Sequence, residues 1–411
     1  MKDTHLYETL LGLTPPWRVR DVELLLEADE VIVHVSADRQ PWACPECKTR
    51  MHMHGHVKRR WRHLDTCQFK TIIEAQVPRV QCAEHGTMTV QVPWAEKHSR
   101  FTALFERLAI AMLRECSISA VSKYLRLSWD ETDHIKAKAV TRGLKRKGVV
   151  EAKAICIDEK SVGRGHDYVT VVTKLTDKGP IVDYLADGRE ESSLDAFWAA
   201  HDEGELAKIS CASMDMWQPY INAVAEHVPA GMRIITHDPF HVVKKLNEAV
   251  DKVRRQEVAL LPVDAGKALK GTRYMWLYGF ENLPDKWDER LRAFKQSKLK
   301  TARAWRLKET LRDMYKCQTW AEAETLFKDW YRDAMRSKLD PVKAVARMIH
   351  KRLEQVLNFF IHRVTNAYSE GINSTIQALI KRANGYRKRE RLKRDLLFHL
   401  GGLDLYPAIT Q

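Results

Sequence analysis

The most restrictive feature of this chain is a pair of short apolar runs that each end on an acid. Ala154, Ile155, Cys156 and Ile157 suit a strand buried on both faces, and the run stops at Asp158 and Glu159. Ile209 to Met214 is a second such run, and it stops at Asp215. A carboxylate anchored on a rigid core strand can hold a metal ion with the precision that phosphoryl-transfer chemistry needs.

The residues around these runs supply the rest of a sheet. A turn containing Gly163 and Gly165 leads into Tyr168 to Val172, a β-branched run suited to a hairpin strand beside the first. Ile181 to Leu185 reads as a third strand, Ser193 to Ala200 as the start of a helix, and Arg233 to Thr236 as a fifth strand closing on His237-Asp238-Pro239-Phe240-His241. A hairpin, a third strand, a helix and a fourth strand between the two acids is the order of a ribonuclease-H-like fold. From Val242 to about Arg363 the pattern turns helical. Trp276, Trp287, Trp305, Trp320 and Trp330 lie in charged sequence there and read as core anchors of a helical insertion.

Upstream, Val22 to Leu26 and Val31 to Val35 flank an acidic turn and begin a small β unit. Cys44-Pro45-Glu46-Cys47 and Cys82-Ala83-Glu84-His85-Gly86 then bracket a strand-like segment from Phe69 to Val77. Two such knuckles offer four ligands for tetrahedral zinc. His52, His54, His56 and His63 lie between them, as competing ligands or as a His-rich exposed loop. The same interval carries Lys58, Arg59, Arg60 and Arg62 with Trp61, a basic and aromatic patch suited to phosphate contact or a solvated basic face.

Phe101, Leu104, Phe105, Leu108 and Met112 fall on one helical face. Ser119 is suited to cap a short helix through Leu125, and Ser128 with Glu131 makes a capping-box pattern for a third helix. That helix carries Lys136, Lys138 and Arg142, which suggests a helix-turn-helix with its last helix in the major groove. Near the end, Tyr368 to Ser374 opens a helix whose apolar face is Ile372, Ile376 and Leu379, with Glu370, Asn373 and Gln377 opposite. Lys381 to Asp395 follows, with eight Lys/Arg against two acids. A carboxylate site running into a basic surface suits a DNA strand lying over metal ions.

The formal charge of +14 and pI of about 9.3 point to a polyanion, most simply nucleic acid. Eight cysteines, with two in a tight pair, read as metal ligands and buried thiols in a reducing compartment. No apolar run is long enough to cross a membrane and the N-terminus lacks a signal-peptide core, so the expectation is a soluble, intracellular protein without a membrane partner.

Several motifs in this order resemble the ISL-three family of bacterial insertion-sequence DDE transposases: the knuckles, the helix-turn-helix, I-D-E-K-S with G-H-D-Y, D-M-W-Q-P-Y, D-P-F-H-V-V-K, and S-E-G-I-N-S-T-I-Q with a later G-Y-R. The resemblance covers nearly the whole chain. It implies an α/β multidomain protein: an N-terminal zinc ribbon over 1–97, a helix-turn-helix over 98–150, and an RNase H-like catalytic core over 151–241 and 364–411, interrupted by an all-helical insertion over 242–363. It implies that Asp158, Asp215 and Glu370 bind two Mg ions, or Mn in their place, for strand cleavage followed by strand transfer, and that Cys44, Cys47, Cys82 and His85 hold a structural Zn. Asp238 and His241 match an accessory pair that follows the second acid in other transposases with helical insertions, although Asp238 also competes for the third metal position. The DNA-contacting residues are then Arg59, Arg60, Arg62, Lys136, Lys138, Arg142, Lys381, Arg382 and Arg387. The expected partners are double-stranded DNA, as transposon ends and target, and further copies of the chain in a homodimer or higher assembly on the nucleoid of the bacterial cytoplasm. Two other classes fit parts of the sequence: an RNase H-like nuclease or resolvase that cuts without joining, and a zinc and helix-turn-helix regulator without catalysis.

Overall fold

The structure is a computed structural model that describes residues 3–148, 150–163, 167–262, 269–295, 297–364 and 367–409. The chain forms two units, Met1–Gly148 with Arg382–Gln411, and Val149–Lys381. Gly165, expected in the turn after the first acid, lies outside the described residues, as does His166 of the same motif.

In the first unit, helix α1 (Asp3–Leu10) precedes strands β1 (Trp17–Leu25), β2 (Glu30–Ala37), β3 (Trp42–Ala43), β4 (Arg50–Met51), β5 (Met53–Arg62), β6 (Lys70–Cys82) and β7 (Gly86–Thr89). The main sheet runs β1-β2-β6-β5, with β7 also on β6, and β3 and β4 form a separate two-stranded ribbon. The long strand β6 alternates inward Thr71, Ile73, Ala75 and Val77 with outward residues, the period of a sheet with one covered face. Four indoles gather on that face: Trp94 meets Trp17 at 4.9 Å and Trp61 at 5.4 Å, and Trp17 meets Trp42 at 5.5 Å. Trp61 is therefore a core residue and not part of an exposed patch. His54 and His56 occupy exposed alternate positions of β5, where a loop was expected, because this segment pairs with Pro78 to Val80 of β6.

Three helices follow: α2 (Ala103–Glu115), α3 (Ile118–Leu125) and α4 (Trp129–Arg146). The Ser128–Glu131 capping box forms as expected, whereas the cap of α3 is Ser117, whose side chain accepts from Ala120 N, and not Ser119. The buried face of α2 is also turned from the expected one. Phe105, Ala109, Ile110 and Leu113 are buried while Leu108 is 41 % exposed, because a carboxylate, Glu106, belongs to the inward stripe. Hydropathy counts that position as polar, so the apolar pattern selects the wrong stripe.

Residues 382–409 belong to this first unit, whereas the sequence assigns them to the catalytic core. The C-terminal helix Arg389–Leu400 buries Leu392, Leu396 and Phe398, and Phe398 joins the core of α2 to α4. Its basic residues conceal this apolar side. The following strap is held on α4 by Arg142 donating to the Leu405 carbonyl and by Arg146 donating to Asp404 and the Tyr406 carbonyl.

In the second unit, β8 (Ala154–Ser161), β9 (Tyr168–Thr176) and β10 (Gly179–Asp187) form an antiparallel meander. Helices α5 (Asp195–Ala199) and α6 (Glu203–Ala207), strand β11 (Cys211–Met214), α7 (Gln218–His227), strand β12 (Ile235–His237) and the long helix α8 (Pro239–Leu260) follow. The sheet order is β10-β9-β8-β11-β12, with β8, β11 and β12 parallel, which is the RNase H-like arrangement. Strand β8 continues past Asp158 as far as Ser161 on its β9 side. Its pairing with β11 stops at Ile157, so Asp158 ends the parallel part of the strand only. Beyond α8 the described residues are helical to His362, around a core that includes Trp276, Trp305 and Trp330, each at most 1 % exposed, with Trp287 and Trp320 packed at its edge. No helix among the described residues is long and apolar enough to cross a membrane.

Candidate acidic site and zinc cluster

Strand register builds the acidic site. Ile157, Met214 and His237 sit side by side across β8, β11 and β12, and the next residues are Asp158, Asp215 and Asp238. Parallel strands thus deliver three acids to one sheet edge, where ligands of open α/β sheets bind. Each of the first two is oriented by the following backbone: Glu159 N donates to Asp158 Oδ1 at 2.9 Å, and Met216 N donates to Asp215 Oδ1 at 2.6 Å.

The second oxygen of each acid faces a different partner. Asn373 Nδ2 donates to Asp158 Oδ2 at 2.7 Å, and His241 Nδ1 lies 3.4 Å from Asp215 Oδ2. His241 comes from the first turn of α8, and Asn373 from the helix Ala367–Arg382. Burial drives Asp158 above the usual carboxylate range, against the His241 charge and the Asn373 bond. Burial also acts on Asp215, but the His241 hydrogen bond and charge outweigh it and bring the carboxyl down to about 2. His241 is itself raised, since its bond to Asp215 and the nearby acids overcome its burial. Two neighbouring carboxylates with opposite shifts form a site that a cation would stabilise.

Glu159 belongs to this site as well. Burial raises its pKa, and so do the charges of Asp158 and Asp215; its Oε2 is buried without a hydrogen-bond partner. An orphaned carboxylate oxygen among hard oxygen donors fits a divalent cation such as magnesium. Glu370 is exposed on the helix of Asn373, three residues earlier and so on the same face. Asp158, Asp215 and Glu370 do not close to the mutual 4.8 Å spacing that marks the zinc cluster. Asp238 is 4 % exposed at the N-cap position of α8, and its side chain makes no capping bond there.

The four residues expected to hold zinc come together. Cys44 and Cys47 sit in the turn between β3 and β4, Cys82 ends β6, and His85 precedes Gly86, whose φ of +68° makes the turn into β7. The four donor atoms lie within 4.8 Å of one another. The Sγ atoms of Cys47 and Cys82 are 3.6 Å apart, and His85 Nδ1 is 3.5 Å from Cys82 Sγ and 3.9 Å from Cys44 Sγ. A regular tetrahedron with zinc–sulfur bonds of about 2.3 Å has edges of roughly 3.8 Å, so this donor set fits the metal. Hydrogen bonds from Thr49 pull the Cys47 thiol below its ordinary range, while Cys82, despite backbone hydrogen bonds from His85 and Glu84, is pushed above it by burial and the Cys47 and Cys44 sulfurs.

The residues expected on DNA are placed less uniformly. Lys136 is 3 % exposed and pairs with Asp395, and Arg142 is 8 % exposed between Glu96 and Glu106. Lys138 also pairs with Glu96 and Glu106. These three cations fasten α4 inside its unit, and the outward residues near the start of α4 are instead Lys123, Tyr124, Arg126, Trp129 and His134. Arg62 is bound to Asp65 and the His63 carbonyl, Arg60 pairs with Glu30 and Glu74, and Arg59 lies over the Trp61 ring. Arg382 donates to the Arg114 and Glu115 carbonyls, while Lys381 and Arg387 are exposed. Buried ion pairs and exposed cations have the same one-letter signature, which is why the charge pattern did not separate them.

Comparison with known proteins adds three family matches. Residues 155–396 match a family described as "Transposase", residues 40–85 the "zinc-finger of transposase IS204/IS1001/IS1096/IS1165", and residues 90–132 the "Helix-turn-helix domain of transposase family ISL3". The chain is 27 % identical to the transposase for insertion sequence element IS1557 of Mycobacterium tuberculosis, over 95 % of this chain and 94 % of that one. It is 24 % identical to the transposase for insertion sequence element IS1001 of Bordetella parapertussis, over 95 % and 96 %. No solved structure matches.

Proposed function

The chain belongs to the ISL3 family of transposases, and from that premise we propose that it binds the inverted-repeat ends of an insertion sequence and cuts and joins DNA at the edge formed by Asp158, Asp215 and Glu370. The observation that carries this reading is the register that aligns Asp158 with Asp215, together with the Asn373 bond that ties the Glu370 helix to Asp158. Asp158, Asp215 and Glu370 would hold two magnesium ions, or manganese, whose charge would supply activation of a water or 3′-hydroxyl and stabilisation of the leaving oxygen. Asn373 fixes the rotamer of Asp158. His241 keeps Asp215 ionised and turned toward the edge. The four N/S ligands of the N-terminal cluster leave no open position, so zinc there is structural.

The zinc finger and helix-turn-helix bind DNA, with the outward residues at the start of α4 and on α3 as the reading face. Work in the cytoplasm on the nucleoid, as a dimer or larger assembly, completes the proposal. The test is to make Glu370→Gln and Asp238→Asn separately and to measure Mg-dependent nicking of terminal DNA at unchanged end binding. Glu370→Gln should lose nicking by several orders of magnitude, as removal of a metal-holding charge does. Normal nicking by that variant overturns the assignment, and nicking without any joined product from the wild type favours a resolvase.

A further inference from the structure

Above the acidic edge lies a cation that none of these roles employs. Arg189 is half-buried, and its guanidinium is held between the rings of Tyr168, at 4.6 Å, and Trp217, at 4.5 Å. Its backbone is fixed as firmly: the Trp217 indole N–H donates to the Arg189 carbonyl at 2.9 Å. The preceding Gly188 has a φ of +80°, its N–H donates to the Tyr168 carbonyl, and its own carbonyl accepts from Thr170 Oγ1. A residue other than glycine would be strained there, and that turn aims Arg189. Yet no carboxylate or carbonyl among the described residues takes its N–H groups, so five donors in a fixed fork are left to something else.

The location says what that is. Tyr168 pairs with Ser161, three residues beyond Asp158 on β8, and Trp217 is two residues beyond Asp215. Arg189 therefore stands over the same sheet edge as the acids, roughly 10 Å along it at strand spacing. Its charge reaches the Glu159 carboxyl without forming an ion pair with it. A planar guanidinium held rigid by aromatic faces is the group that takes a phosphate by two parallel hydrogen bonds.

We propose that Arg189, clamped between Tyr168 and Trp217, binds a backbone phosphate of the strand being cut, within about three nucleotides of the scissile bond at 3.4 Å per phosphate. The proposal rests on the DNA-cutting reading above and assigns Arg189 the register of the strand over the acids. Holding a phosphate at a fixed point sets which bond lies over Asp158 and Asp215.

The test is a cycle of one protein change against one DNA change. Full-length wild type, Arg189→Ala and Arg189→Lys are given duplexes of the element's terminal sequence in which one phosphate at a time, over three positions on each side of the cut, is a neutral methylphosphonate. With unmodified DNA, Arg189→Ala should nick about 10- to 100-fold more slowly, as loss of a hydrogen bond to a charged group implies, and some of its cuts should fall at neighbouring bonds. At one position the neutral linkage should slow the wild type by a similar factor and the alanine variant not at all, with Arg189→Lys in between. If the two losses multiply at every position, or the alanine variant cuts at the wild-type rate and place, the clamp is wrong and Arg189 is a structural stack. If the wild type nicks no DNA with Mg, the underlying reading fails as well, so the two failures are distinguishable.

Discussion

Two histidines of the first unit, His63 buried and His399 half-buried, show how single residues set its acid tolerance. Burial holds His63 at about 4, and burial with the charges of Lys136 and Arg382 holds His399 at about 4. Unfolded, each titrates near 6.5. Above about pH 6.5 both states are neutral and neither residue affects stability. As pH falls from 6.5 to 4, the unfolded chain takes up protons that the folded one refuses, so stability falls with pH, by about 3 kcal/mol for buried His63 at the bottom of the window and by less for half-buried His399, where solvent screens the effect. His63→Gln should flatten the acid side of a Tm-against-pH curve. An unchanged curve would mean that His63 is protonated in the folded protein. Residue chemistry also separates Asp158 from Asp215: the two are level in register, yet burial prevails at Asp158 over its Asn373 bond, whereas the His241 bond and charge prevail over burial at Asp215.

Among the elements, the zinc knuckles and α4 make opposite demands on the same kind of evidence from sequence. Cys44, Cys47, Cys82 and His85 join two turns that share little other support, since β3 and β4 are two residues each. Cys44→Ser, or a strong chelator, should melt the N-terminal sheet and abolish end binding while the second unit keeps its own transition in calorimetry. Purified protein without stoichiometric zinc would contradict this. Helix α4 is read differently. Lys136→Met leaves the Asp395 carboxylate with the Tyr386 hydroxyl but without its cation and should lower stability by about 3 kcal/mol, as breaking a buried pair does, with little change in the salt dependence of DNA binding. Lys123→Ala on the outward side should do the reverse, weakening binding and reducing its salt slope by about one ion. The opposite result would restore the reading of Lys136, Lys138 and Arg142 as phosphate contacts.

At the scale of the whole molecule, the first unit is built from both ends of the chain. A fragment of residues 1–148 would expose the side of α4 that Phe398 and Leu405 cover. It should be markedly less stable than the same fragment fused through a flexible linker to residues 382–411; equal melting of the two would refute this. What the sequence determines alone is whatever depends on local period and on ligand spacing. The apolar runs that lead into Asp158 and Asp215, the gathering of Cys44, Cys47, Cys82 and His85, the Ser128–Glu131 cap and the tryptophan core of the helical block are all of this kind, because each follows from residues close together or from a repeating pattern. Tertiary structure decides what depends on which partner is across the contact. It turns Lys136 and Arg142 inward against Asp395 and Glu106, makes Trp61 a core residue, returns the basic tail to the helix-turn-helix unit, sets His241 on Asp215, and leaves Arg189 between two rings without an ion pair among the described residues. A charge has the same letter whether it meets water, a carboxylate or a phosphate, and only the fold decides which of these it meets.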